Sequence, residues 1–155
     1  MKKTYSILFC GTGGQGVLSA AEVAGVAAVL AGYHVKKSEV HGMAQRGGSV
    51  ESHVVFGEKV FSPLIMPGNA DFLVSLHPDE AARMRHFLKD GGTDLKPLLD
   101  DAAKLPDKRF VNTFLLGALS ALLPIAAEHW TAALHQVVGK RMEEKMRQSL
   151  VISDG

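Results

Sequence analysis

"FCGTGGQGVLSAAEVAG", residues 9–25, is the stretch on which the reading of the chain turns. Gly11, Gly13 and Gly16 carry the spacing of a dinucleotide fingerprint. An apolar run precedes them and a segment of helix-forming composition follows. A strand before such a turn and a helix after it aim backbone N–H groups and the positive helix end at one place, which suits an anion. Gly14 and Gln15 change the loop by adding backbone freedom and a neutral amide. The glycines alone therefore leave two readings open: a cradle for a phosphate, or a tight turn packed against a neighbour.

Outward from that turn, residues 5–10 read as a buried parallel strand and residues 17–31 as a helix closed by Gly32. The helix is apolar nearly all round, so it must be covered on every side, by its own domain or by a partner. Residues 33–37 read as a second strand, completing a right-handed βαβ unit. Residues 38–48, "SEVHGMAQRGG", show neither helical nor strand period; a long, glycine-rich connection of this kind suggests a functional loop. "SVESHVVF" (49–56) and "KVFSPLI" (59–65) flank Gly57 and Glu58, predicting an antiparallel hairpin beside the parallel pair. Residues 70–76 read as another buried strand. Pro78 opens a helix running through Lys89, which Gly91 and Gly92 close. Residues 95–105 form a short helix with Pro97 in its first turn, and 109–124 begin strand-like and become an apolar helix ending at Pro124. A last helix follows over 127–150, with Gly139 its weak point. Without repeats or a dividing linker, residues 1–155 read as one domain. The fold class expected is α/β: a three-layer, Rossmann-like domain with a mostly parallel sheet, an antiparallel hairpin, and helices on both faces.

Composition narrows the function. Apolar residues make up 46% and charged residues 21% of 155, with a formal net charge of +1. That profile is of an ordinary globular domain with no electrostatic footprint for nucleic acid or an acidic membrane. "MKKTYSILFCG" imitates a lipoprotein signal, but its apolar run is short and Phe9 is bulky where a small residue should stand; a first strand explains it better. Glu22 and Pro124 interrupt the two longest apolar stretches, so no membrane span and a cytoplasmic location are expected. Cys10 is the single cysteine. It excludes an internal disulfide, a zinc site of paired cysteines, and a self-contained iron–sulfur cluster, which takes about four thiolates. At the end of a buried strand, Cys10 reads as a small core residue.

"HGMAQRGGSVESHV", residues 41–54, is far more specific than the glycines. Together with "GTGGQG" (11–16), "SPLI" (62–65), "GNAD" (68–71) and "EAARM" (80–84), it resembles the gamma-type domain of 2-oxoacid:ferredoxin oxidoreductases, the pyruvate/ketoisovalerate oxidoreductase family. The form "SEVHGMAQRGGSV" looks most like the indolepyruvate branch, in which this domain is a separate small chain. The resemblance is close over residues 5–85 and looser over 111–124, which include Asn112. It implies oxidative decarboxylation of a 2-oxoacid with coenzyme A as co-substrate, giving an acyl-CoA, carbon dioxide and reduced ferredoxin. The residues of this chain supply neither thiolates for clusters nor an acidic diphosphate motif. The resemblance therefore implies a non-thiamine-binding subunit, inactive alone, with thiamine diphosphate, magnesium and iron–sulfur clusters carried by a large partner chain.

Three departures from the family pattern stand out. Val55 occupies a place where an arginine is common, removing one anion or interface contact. Residues 89–110 look short, as though a strand and helix were trimmed. A C-terminal element of longer relatives is not seen after Gln148.

On this reading Gly11, Gly13, Gly14, Gln15 and Gly16 and the second loop, His41, Gly42, Met43, Gln45, Arg46, Gly47, Gly48 and Ser49, share one edge of the sheet as cofactor-binding or subunit-interface residues, with no catalytic residue and no metal ligand among them. Each has a plainer alternative. Arg46 either clamps a carboxylate or phosphate bidentately or makes an interface salt bridge. His41 is an acid or base near neutrality or is fixed by backbone bonds. Gln15 and Gln45 contact a ligand or brace the loops, and Met43 is an adaptable interface contact. His41 and His53 have no metal spacing. Glu80 and Arg83 pair with each other and nothing else, and Trp130 anchors a core or an interface. Two other functions stay open. One is an NAD(P)-binding Rossmann protein, with Glu39 on a ribose and Lys36 and Lys37 suited to a phosphorylated one. The other is a free-standing binding module that kept the scaffold. An isolated subunit is also expected to cover its apolar helix with a second copy, giving a homodimer.

Overall fold

The computed structural model describes residues 4–13, 16–41, 48–102, 104 and 111–154, the side chains of His41 and of residues 141–154 excepted. In chain order the elements are β1 (Tyr5–Thr12), α1 (Val17–Leu30), β2 (His34–His41), β3 (Ser49–Gly57), β4 (Ala70–Ser75), α2 (Pro78–Met84), a 3-10 turn (Arg85–Phe87), β5 (Leu88–Asp94), α3 (Lys96–Ala102), α4 (Val111–Ser120) and α5 (Ala127–Asp154). The five strands form one mixed sheet in the order β2-β3-β1-β4-β5. β1 is parallel to β4 and β4 to β5, whereas β3 runs antiparallel to both β1 and β2.

The strand sequences explain their places. β4, "ADFLVS", is buried at every position, and β1 is buried from Ile7 to Gly11; such unbroken burial marks strands covered on both faces. β2 carries Lys36, Lys37, Ser38 and Glu39 in succession and lies at an edge, where charge discourages pairing with another sheet. Alternation divides the core in two. Ile7, Phe9, Val54, Phe56, Phe72 and Val74 meet α1, α4 and α5 on one face. Leu8, Cys10, Val55 and Leu73 meet Met84 of α2 with Val60 and Ile65 on the other.

One side of the apolar helix α1 is covered by its own chain, while Leu18, Val29 and Leu30 stay exposed. Ala20, Ala21, Ala24, Ala27 and Ala28 are buried in the main core, to which Trp130, Ala133 and Val137 of α5 also belong. Trp130 is thus a core anchor. The end of α1 is closed as the sequence suggested. Tyr33 N–H donates to Ala28 O (3.0 Å) while Gly32 takes a φ of 93°, a conformation glycine adopts without a Cβ penalty.

Several expectations are corrected. The parallel neighbour of β1 is β4, not β2, and the antiparallel hairpin is β2–β3, so two of the four ladders are antiparallel. Residues 38–41 belong to β2. "KVFSPLI" is not a strand: Val60 N–H donates to His34 Nδ1 (3.0 Å) and Ile65 N–H to His53 Nδ1 (3.0 Å), so two imidazoles take the place of a ladder. The helix from Pro78 stops at Met84, and Leu88–Asp94 forms β5 instead. Gly91 and Gly92 lie within that strand, where its register against β4 shifts between Ala70 and Phe72. The 89–110 region holds most of β5 and all of α3, while residues 103 and 105–110 lie outside the described residues.

Cys10 behaves as a core thiol. It is fully buried, and its sulfur lies 3.3 Å from Ser75 Oγ. Burial raises its pKa from 9.0 to about 11, against the opposing hydrogen bond from Ser75. The folded chain therefore holds the thiol proton more tightly than the unfolded chain does. The resulting stability is complete below pH 9.0 and is lost as pH rises from there to about 11. A thiol reagent at a pH of about 8 is expected to leave the folded protein unmodified and to label one equivalent in concentrated guanidinium. Rapid stoichiometric labelling of the folded chain would contradict this environment.

Candidate functional site at the carboxyl rim

The chain leaves β1 toward one face of the sheet, into α1, and leaves the adjacent β4 toward the other, into α2. Helices diverging to opposite faces from neighbouring parallel strands open a crevice beyond their carboxyl ends, the place where open α/β sheets hold ligands. Leu76 N–H donates to Cys10 O (2.8 Å) and joins the two strand ends at its base.

The described ends of both glycine-rich segments meet this rim. Thr12 pairs with Ser49 and Gly11 with Val50 across β1–β3, while His41 pairs with Val50 across β2–β3. Beyond the ladder, Gly13 N–H donates to Gly48 O (3.1 Å). Gly16 then takes a φ of 84° as it enters α1. Its carbonyl accepts the first helical bond from Ala20 N–H (3.0 Å) and a second from Asn112 Nδ2 of α4 (3.3 Å). A Cβ at position 16 would collide with that amide nitrogen. Gly11, Gly13, Gly16, His41, Gly48 and Ser49 are therefore brought together. Gly14, Gln15, Gly42, Met43, Gln45, Arg46 and Gly47 lie outside the described residues.

A charged network flanks the rim on the α2 side. Arg83 Nε and Nη2 each lie 2.8 Å from Glu80 Oε2, and Nη2 lies 3.6 Å from Glu51 Oε1. The hydrogen bond that Arg83 donates to Glu80 leads the causes that raise its pKa further above the ordinary arginine value. Glu51 Oε2 in turn lies 3.1 Å from His53 Nε2. Since His53 Nδ1 accepts from Ile65 N–H, Nε2 carries the proton and donates it to Glu51. The expectation that Glu80 and Arg83 pair only with each other is thus corrected by Glu51. The signal was in the sequence: Glu51 and His53 are two apart on a strand and so share a face. Val55, on that same face, is 6% exposed in the second core. Its position is therefore one of packing, not of contact with an anion at the surface.

Glu39 does not reach the glycine turn. β3 stands between β2 and β1, which puts Glu39 about 10 Å from β1, two strand spacings away. A dinucleotide grip needs the acid on the strand next to the glycine turn, and the neighbours of β1 here are β3 and β4. The residues present also do not fit the cofactors of 2-oxoacid oxidation. The one cysteine is buried against Ser75, and among the described residues no three His, Cys, Asp or Glu side chains gather into a metal site. Nor, among the described residues, is any helix long and apolar enough to cross a membrane.

Residues 6–98, more than half of the chain, match the family described as pyruvate ferredoxin/flavodoxin oxidoreductase. The chain belongs to this family. Among its curated relatives is indolepyruvate oxidoreductase subunit IorB of Thermococcus kodakarensis, 40% identical over 130 residues that cover 73% of this chain and 64% of the relative. The IorB subunit of Pyrococcus horikoshii is 46% identical over 99 residues, covering 62% of this chain and 49% of that one. The chain thus spans about half to two thirds of the length of these two relatives. Among solved structures, the gamma subunit of a keto/oxoacid ferredoxin oxidoreductase from Geobacter sulfurreducens superposes with a TM-score of 0.65 at 25% identity, covering 85% of both chains. A 2-oxoglutarate:ferredoxin oxidoreductase from Magnetococcus marinus, solved with 2-oxoglutarate, coenzyme A and succinyl-CoA bound, gives a TM-score of 0.72 at 20% identity. There the match covers 91% of this chain and 28% of that one, so the same fold recurs as one part of a much longer polypeptide.

Proposed function

We propose that the chain is the non-thiamine-binding subunit of an indolepyruvate-type 2-oxoacid:ferredoxin oxidoreductase, and that its carboxyl rim docks against the large subunit. The reading rests on one observation above all: the Gly13–Gly48 hydrogen bond, which joins the described ends of the two glycine-rich segments just beyond the β1–β3 ladder. Backbone of this kind lets another chain or a ligand approach closely, while the scarcity of thiolates and metal ligands assigns the redox chemistry elsewhere. Thiamine diphosphate, magnesium, the iron–sulfur clusters and the contact with ferredoxin belong to the partner. Coenzyme A enters between the two chains. The rim of this chain shapes that cavity, excludes water and makes or breaks no covalent bond.

Arg46, which lies outside the described residues, is the residue proposed to supply the charge for a carboxylate or phosphate contact. Arg46→Ala is expected to leave the thermal transition within about 1 °C, as a surface loop change, and to lower kcat/KM of the reconstituted complex about tenfold or more. Unchanged steady-state rates would remove Arg46 from the site. Co-expression with the large subunit tests the reading as a whole, since the two chains are expected to purify together in fixed ratio. Separate elution of two folded chains would overturn it.

A further inference from the structure

We infer that Asn112 is a positioning residue that sets the glycine turn in its docking geometry from the far end of the chain, an inference resting on the proposed docking role of the rim. Asn112 lies in the first turn of α4, 96 residues from Gly16 in sequence, yet its side-chain amide donates to Gly16 O at 3.3 Å. Gly16 is the hinge of the loop: it leaves the β1–β3 ladder behind, takes a φ of 84° and opens α1. Its carbonyl receives two donors, Ala20 N–H from within α1 and Asn112 Nδ2 from outside it. The second donor ties the turn to α4, whose Leu115, Leu116 and Leu119 are fixed in the main core. On the opposite side, Gly13 N–H is held by Gly48 O. The turn is therefore gripped at both ends, by a neighbouring loop and by a helix. Of these two grips, the Asn112 one comes from a side chain that mutation can remove.

Two substitutions separate this role from ordinary packing. Asn112→Ala deletes the donor. Asn112→Asp keeps the shape but replaces the NH2 group with a second acceptor facing Gly16 O. In the first turn of a helix an aspartate is favourable on its own account, so a residue serving only to start α4 would tolerate it or gain by it. A positioning residue predicts the reverse order, with Asp more damaging to the loop than Ala.

The first measurement is amide hydrogen exchange on the isolated chain. Asn112→Ala is expected to speed exchange at Gly13 and Ala20, the bonded amides on either side of the turn, about tenfold, the factor of one ordinary hydrogen bond, and Asn112→Asp more, with the α5 amides unchanged. Unchanged exchange at the turn would overturn the inference whatever the complex does. The second is the dissociation constant for the large subunit, taken first for the wild-type chain. It is expected to rise about tenfold in Asn112→Ala and further in Asn112→Asp, with kcat restored at saturating small chain. Altered exchange with an unaltered dissociation constant would reduce Asn112 to a structural clamp and overturn the positioning role. Failure of the wild-type chain to bind the large subunit would instead defeat the proposed function, and the exchange result would then show whether Asn112 holds the turn.

Discussion

Gly16→Val is expected to destabilise the isolated chain by about 2–3 kcal/mol and to abolish its assembly with a partner. Two separable effects add. At a φ of 84°, an L residue meets a backbone conformation that costs roughly 1–2 kcal/mol, and a β-branched side chain tolerates it least. The new Cβ also collides with Asn112 Nδ2, which must swing away and give up its bond to Gly16 O, a loss of about 1 kcal/mol. For a domain of this size the sum lowers the midpoint of thermal unfolding by roughly 4–12 °C. The loss of assembly follows because the same residue directs the loop over the rim. A Gly16→Val chain that melts with the wild type would show that the left-handed turn is not required.

Asp71→Ala acts through the other end of β1. Asp71 is 8% exposed on β4; its carboxylate accepts from Ser6 N–H at 2.8 Å and pairs with Lys89 of β5. One carboxylate thus ties the central strand to an edge strand whose register is irregular. Its removal leaves a strand N–H without this acceptor and an ammonium without this anion. Charged hydrogen bonds of this kind contribute about 1.5–3 kcal/mol, and Lys89, 37% exposed, recovers part of its loss in water. A net cost of about 2–3 kcal/mol is expected, read as a midpoint lower by roughly 4–12 °C. Hydrogen exchange localises the effect, with the β5 amides exchanging faster than those of α1. A uniform, small change across the domain would contradict the tie.

These residues also show what was legible in the sequence. β1, α1 and β4 were clear because burial on two faces leaves an unbroken apolar run, and Gly32 marked the end of α1. β5 was not: "LKDGGTD" has little strand propensity, and its pairing is decided by β4 and by the Lys89–Asp71 contact, which lie outside any local window. "KVFSPLI" misled in the opposite sense. Its alternation is that of a strand, but the backbone donors at Val60 and Ile65 are taken by His34 and His53 from elsewhere in the chain. The strand order was hidden as well, since a βα connection does not reveal that β3 will insert between β1 and β2. That insertion carries Glu39 away from the glycine turn and weakens the dinucleotide alternative. The glycine loops were legible as motifs because their spacing is local. Asn112, the side chain that braces one of them, has no local signature, because its contact with Gly16 spans 96 residues of the chain.

The most direct measurement is reduction of a viologen dye dependent on both a 2-oxoacid and coenzyme A, made with this chain alone, with the large thiamine- and cluster-bearing subunit alone, and with the two combined. Turnover is predicted only in the mixture, saturating as this chain is added. Dye reduction by this chain alone, free of any second polypeptide, would contradict the assignment of the reactive groups to a partner.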